Sequence, residues 1–197
     1  MKYKTVKKLA RVEQTIKKSK FIGTAKPVAN VKEAEDFIQE ISNEFKKATH
    51  SVFAYRVGVK ENERFLYSDG REPSGSAGLP TFNAIKTTEV TNCGVVVIRF
   101  FGGIKLGIGG LIRAYYSTAK ASIEQAGIVE VSIRKTVKIC FPYSKIRLAM
   151  YLVHQFNGKV VNEDYGENVQ LTISIEEDLI ERFTKALKSK TQEITFC

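Results

Sequence analysis

No stretch of this chain is apolar for long enough to span a bilayer as a helix. Its longest apolar runs, such as Val95 to Ile98, fall far short of the roughly twenty residues required. The basic N-terminus is not followed by the apolar segment of a secretory leader, so a cytoplasmic protein that does not enter membranes is expected. Cysteine is scarce and odd in number: Cys93, Cys140 and Cys197 lie far apart, with no CxxC pair. That argues against a zinc cage and a disulfide framework. Cys93 opens an apolar stretch and reads as a small core residue. Two histidines, His50 and His154, are too few for a multi-histidine metal site, and neither metal nor cofactor is expected. There is no internal repeat and no low-complexity tract.

What is present is a basic, foldable chain. Of 197 residues, 43% are hydrophobic and 26% charged, which suits a packed core rather than disorder. The net charge of +10 is unevenly placed: residues 1–126 hold 21 basic against 12 acidic side chains, while residues 127–197 hold 10 against 9. A basic field of this kind raises encounter rates with polyanions such as RNA.

Hydrophobic period and punctuation divide the chain. Val6–Thr15 and Lys20–Val28 read as strands joined at Lys17-Lys18-Ser19. Asn30 caps a helix whose apolar face is Val31, Ala34, Phe37, Ile38, Ile41 and Phe45, with Glu33 completing a variant capping box. Ser51–Val59 reads as a strand and Phe65–Tyr67 as its short partner. Leu79–Thr88 reads as a helix, Cys93–Phe101 as a buried strand, and about Gly110–Ala126 as a helix ended by Gly127. Beyond it the order is simple. Strand Ile133–Tyr143 precedes a helix capped by Ser144 and stopped at Asn157-Gly158. A hairpin of Val160–Asp164 and Val169–Ile175 follows, then helix Glu177–Lys188 and strand Glu193–Phe196. This β-α-β-β-α-β order is the ferredoxin-like split βαβ. The fold class is therefore α+β, with residues 1–128 as an N-terminal domain and 129–197 as a C-terminal one.

Two glycine-rich loops carry the candidate chemistry. The second, "RFFGGIKLGIGGLIRAYY", packs five of the chain's fourteen glycines into residues 102–110, between a buried strand and a helix. Backbone N–H groups in such a place can receive an anion. The loop is no standard nucleotide motif: Ile108 follows Gly107 where a P-loop needs lysine, and Ile112 replaces the third glycine of a dinucleotide fingerprint. Arg99, Lys105 and Arg113 flank Gly102, Gly103, Gly107 and Gly109, and together they can form a phosphate-contacting edge. Phe100 and Phe101 point to opposite faces of a strand, leaving one free to stack a base. The bland alternative is that both are core and the glycines only make tight turns. The first loop, "SDGREPSGSAGLP", holds Asp69, Arg71, Glu72, Ser74 and Ser76. Asp69 and Glu72 can bind a cation or act as acid and base, and Ser74 or Ser76 can act as a nucleophile with His50 as base. GxSxG is absent, and a loop closed by Asx and Ser turns competes with both readings. His50 and Tyr55 lie on or beside the preceding strand.

Taken together, "THSVFAYRVG", "SDGREPSGSAGLP" and "VVVIRFFGGIKLGIGGLIRAYYSTAKA" resemble the IMPACT family, in its bacterial YigZ-like two-domain branch. Arg99-Phe100-Phe101-Gly102-Gly103 matches the family's arginine-aromatic-aromatic-Gly-Gly signature. Where the family usually reads Asp-Asp-Gly-Glu-Pro, this chain reads Asp69-Gly70-Arg71-Glu72-Pro73. A role needing both aspartates is not carried over, and the loop becomes more basic. The resemblance implies an N-terminal fold like the second domain of a small-subunit ribosomal protein. It implies a C-terminal fold like the last domain of elongation factor G. Eukaryotic members regulate translation under amino-acid starvation by competing for a protein partner of a kinase, and no catalytic chemistry is tied to the family. The expectation is a non-enzymatic RNA- or ribosome-binding protein in translation regulation or RNA metabolism. Its contacts would be Arg71, Arg99, Lys105, Arg113 and the glycines of the second loop. Two alternatives stay open: a protein–protein regulatory module without RNA affinity, and a hydrolase using His50, Asp69, Glu72 and Ser74.

Overall fold

The computed structural model describes residues 2–191 and 193–196, so Cys197 lies outside the described residues. Tyr3–Val131 form one compact unit, and Lys2 with the described residues from Ser132 onward another.

The first unit is built on a five-stranded antiparallel sheet. Its strands are β2 (Ala10–Ile16), β3 (Ser19–Pro27), β4 (His50–Val57), β5 (Arg64–Ser68) and β6 (Cys93–Phe100). Their spatial order is β2-β3-β6-β4-β5. The continuous apolar run of β6 explains its central place, because both faces are covered. Helix α1 (Val31–Glu44) lies on one face, where Val96 and Ile98 meet Phe37 and Ile41. Helices α2 (Gly78–Thr87) and α3 (Ile108–Ala126) cover the other, where Cys93, Val95 and Val97 join Ile85, Leu111, Tyr115 and Ile123. Each fully buried valine or isoleucine of β6 contributes about 1.5–3 kcal/mol. Asn30 caps α1 as the sequence suggests: its Oδ1 accepts the Glu33 N–H, and Glu33 reaches back to the Ala29 N–H.

Two expectations are corrected at the N-terminal end. Val6–Thr15 is not one strand. Val6 ends a separate strand β1 (Lys2–Val6), which pairs with β7 (Ile128–Ser132), a strand the sequence did not announce. Its partner lies more than 120 residues away, so no local pattern marks it. The β2–β3 hairpin turns on two residues only, Lys17 (φ 44°) and Lys18 (φ 65°), the left-handed pair of a type I′ turn.

In the second unit, β8 (Arg134–Phe141), α4 (Ile146–Gln155), β9 (Lys159–Tyr165), β10 (Val169–Glu176), α5 (Ile180–Lys190) and β11 (Thr195–Phe196) give the sheet order β11-β8-β10-β9. This is the ferredoxin-like arrangement. The alternating Val169, Leu171, Ile173 and Ile175 are all buried, against Leu152, Phe183 and Leu187. Ser144 does not cap α4. It sits inside a 3₁₀ turn, Tyr143–Lys145, that leads directly into the helix.

The fold gives Gly102 a packing role. A Cβ there would overlap the Lys18 carbonyl at the hairpin turn, whereas a Cβ at Gly103 would meet nothing. Gly103 is instead glycine for its φ of 86°. Urea unfolding should place Gly102→Ala about 3 kcal/mol below wild type and Gly103→Ala about 1–2 kcal/mol below. The reverse order would contradict this packing.

Candidate functional site

Sheet register starts the site. Arg99, near the end of β6, is the cross-strand partner of Phe21 on β3 and of His50 on β4. All three therefore share the face covered by α2 and α3. Arg99 is only 4% exposed. Its guanidinium lies 5.4 Å from the Phe21 ring and 5.4 Å from the Phe101 ring. A charge in such a place needs a partner, and the first glycine-rich loop supplies one. Glu72 Oε1 accepts from Arg99 at 2.6 Å and from the Tyr115 hydroxyl of α3 at 2.8 Å. A second Arg99 nitrogen donates to Ser19 Oγ at 3.3 Å, while Arg99 Nε is buried with no partner. Burial first, then the charge of Glu72 and its hydrogen bond, push the Tyr115 phenol well above its usual range. Tyr115 is thus a fixed donor.

His50 completes the cluster. Its Nδ1 donates to the Gly70 carbonyl at 3.1 Å, since a carbonyl can only accept. That leaves Nε2 facing Glu72 Oε1 at 3.7 Å.

Asp69 organises the loop that presents Glu72. Its carboxylate accepts the backbone N–H groups of Gly75, Ala77 and Gly78, at the start of α2. Partial burial would raise its pKa, but the three donors outweigh it and hold the group below the ordinary aspartate value of 3.8. Ser76 donates to the Pro73 carbonyl, closing the loop further. Arg71 takes φ 68° at the position where the family pattern has glycine, and Gly70 has no room for a Cβ against the Ser51 carbonyl.

The two loops line one pocket of about 350 Å³. Thr49, His50, Glu72 and Arg99 supply its polar lining; Pro73, Phe101, Leu106, Ile108 and Leu111 its apolar walls; Lys105 and Gly107 complete it. Phe101 is 45% exposed, whereas Phe100 packs toward α1 against Phe45. Gly107 starts α3 without a capping side chain. The first-turn N–H groups of such a helix have no intrahelical acceptor and carry its positive end.

The pocket therefore gathers His50, Glu72, Arg99, Phe101, Lys105 and Gly107. It does not gather Arg71, Ser74, Gly103, Gly109 or Arg113, all of which are exposed elsewhere on this unit. Tyr55 is corrected outright: it is buried on the opposite face of the sheet with Val28, Ala34 and Val57. Arg99 is corrected in role. It was expected at an open phosphate-contacting edge but is spent on Glu72, because a guanidinium beneath two aromatic rings cannot remain unpaired. Gly102 serves packing, and Asp69 serves its own loop. The hydrolase arrangement is not formed: His50 bonds to Gly70 and faces Glu72, and Ser74 is not its partner. Among the described residues no group of three or more His, Cys, Asp or Glu side chains could hold a metal ion. Ser19, Thr49 and Tyr115 were missed as site residues. Tyr115 alone left a trace, as an inward position on α3 carrying a hydroxyl.

These features define a class: a two-unit α+β protein whose glycine-rich loops are locked by a buried Glu–Arg–Tyr cluster. Comparison with known proteins refines it. Residues 17–123 match the Impact N-terminal domain, and residues 139–192 match a domain of unknown function, DUF1949. The chain belongs to the IMPACT family. It is 33% identical to the IMPACT family member YvyE of Bacillus subtilis, over 96% of this chain and 87% of that one. It is 29% identical to the member YigZ of Escherichia coli, over 89% and 87%. A crystal structure of a hypothetical protein superposes with a TM-score of 0.74 at 25% identity, covering 99% of this chain and 96% of that one. Among the described residues, no helix is long and apolar enough to cross a membrane.

Two measurements check the cluster. Glu72→Ala leaves Arg99 buried and unpaired and should cost about 3–5 kcal/mol. Tyr115→Phe removes one bond to a charged acceptor and should cost about 1.5–3 kcal/mol. Equal small effects of both in urea unfolding would contradict this. Asp69 is held ionised in the fold, so its stabilisation is complete above the unfolded pKa and is lost as pH falls toward the depressed folded one. Asp69→Asn should cost about 1–2 kcal/mol at neutral pH and flatten the loss of stability below about pH 4.

Proposed function

We propose that this protein is a non-enzymatic RNA-binding protein acting in translation regulation or RNA metabolism, with the two-loop pocket as its contact face. One observation carries the reading: the half-exposed Phe101 ring lies over Arg99 in a pocket that also holds Lys105 and the uncapped start of α3. A nucleobase has a π-face for Phe101, and its phosphate has Lys105 and the helix N–H groups. Glu72 is already taken by Arg99 and Tyr115, and His50 Nδ1 by the Gly70 carbonyl, which suits holding a ligand rather than transforming one. The basic balance of residues 1–126 favours a polyanion, and the ribosomal-protein-like fold implied by the family resemblance points the same way.

A second reading rests on Ile104 and Ile108, which are exposed apolar side chains in and beside the second loop. They favour a protein partner.

Co-sedimentation with ribosomes and total RNA, at low and moderate salt, separates the two. Phe101→Ala should weaken RNA binding by about ten- to a hundredfold, and Lys105→Ala should make the remaining binding less salt-dependent. Absence of RNA binding at low salt would favour the protein reading.

A further inference from the structure

The pocket has neighbours. A second depression, of about 220 Å³, is lined by Ile16, Lys17, Leu106, Gly110, Arg113 and Ser117 among others. A third, of about 500 Å³, is lined by Pro80, Asn83, Lys86, Ile112, Arg113 and Tyr116 among others. Leu106 belongs to both the first and the second, and Arg113 to both the second and the third. The three thus follow one another around the N-terminal half of α3. The β2–β3 turn borders the middle one, and α2 borders the last.

Their charge is one-sided. Lys105, Lys17, Arg113 and Lys86 supply cations in sequence, and none of the four forms an ion pair with an acidic side chain among the described residues. Among the described residues the only acidic one lining any of the three is Glu72, whose charge is taken by Arg99. The turn that carries Lys17 is a two-residue left-handed turn, where Asn-Gly is the favoured pair, yet it holds two lysines. Aromatic rings stand at both ends, Phe101 in the first depression and Tyr116 in the third.

We propose that these depressions form one path for single-stranded RNA, running from Phe101 over Arg113 to Lys86 and Tyr116. The proposal rests on the RNA-binding reading of the first pocket and extends it. Phosphates would sit on Lys105, Lys17, Arg113 and Lys86, and unstacked bases would enter the depressions between them. A continuous duplex does not offer splayed bases, so single strands are the favoured form. A protein partner would meet four cations that no acidic side chain balances among the described residues, since Glu72 is taken by Arg99.

Fluorescence anisotropy with labelled oligouridine tests this across a salt titration. The logarithm of affinity against that of salt should have a slope of about −2.8, from four contacts at about 0.7 each. Lys17→Gln, Lys86→Gln and Arg113→Gln should each reduce that slope by about 0.7, and Lys47→Gln, at an exposed lysine just past the end of α1 that lines none of the three depressions, should not. Unchanged slopes in the first three, with weakening by Phe101→Ala, would overturn the path while leaving the pocket reading intact. Duplex RNA binding as tightly as oligouridine would also overturn the path. No oligouridine binding at low salt would remove both.

Discussion

Glu72 Oε1 receives Arg99 at 2.6 Å where the two side chains are 3% and 5% exposed, and the rest of the site is arranged around that meeting. Neither charge tolerates burial alone. Arg99 is fixed by β6, between Phe21 and His50 on the neighbouring strands. Glu72 is carried by a loop that Asp69 folds onto the start of α2. Tyr115 brings α3 to the same oxygen. One carboxylate therefore ties the central strand, the first loop and the helix that follows the second loop. The pocket between the loops is a consequence of that closure.

The family signature acquires a physical meaning here. Its arginine is the buried half of the pair. Its first aromatic residue packs toward α1 and its second covers the arginine from the solvent side. Gly102 lets the chain pass the β2–β3 turn. The acidic residue of the first loop is the partner. The two glycine-rich stretches are conjoined parts of one device. The surface above it is apolar and aromatic at the pocket and cationic along α3.

Much of the fold was legible. The uninterrupted Cys93-to-Ile98 run marked a strand covered on both faces, the alternation from Val169 to Ile175 marked a half-buried one, and Asn30 with Glu33 marked a helix start. The β-α-β-β-α-β order yielded the second unit. What escaped depends on contacts distant in sequence or on short-range competition. Strand β7 is defined by a partner at the other end of the unit, and Ser144 lost its capping role to a 3₁₀ turn. The site was half legible. The glycines and flanking cations were visible, but local pattern could not say which cation is spent inside. The one available hint was position: Arg99 sits in phase with Val95 and Val97, on the inward face. Tyr55 was misplaced for the same reason, because its strand is buried on both sides and residue type does not reveal which side holds the site.

Whether one buried pair locks both loops is read most plainly by hydrogen exchange of a Glu72→Gln variant. Exchange should quicken at backbone amides in both Asp69–Gly78 and Gly102–Leu111, with the β8–β10 sheet of the second unit unchanged. Faster exchange confined to the first loop would contradict a shared lock, because the second loop would then hold its form without the carboxylate.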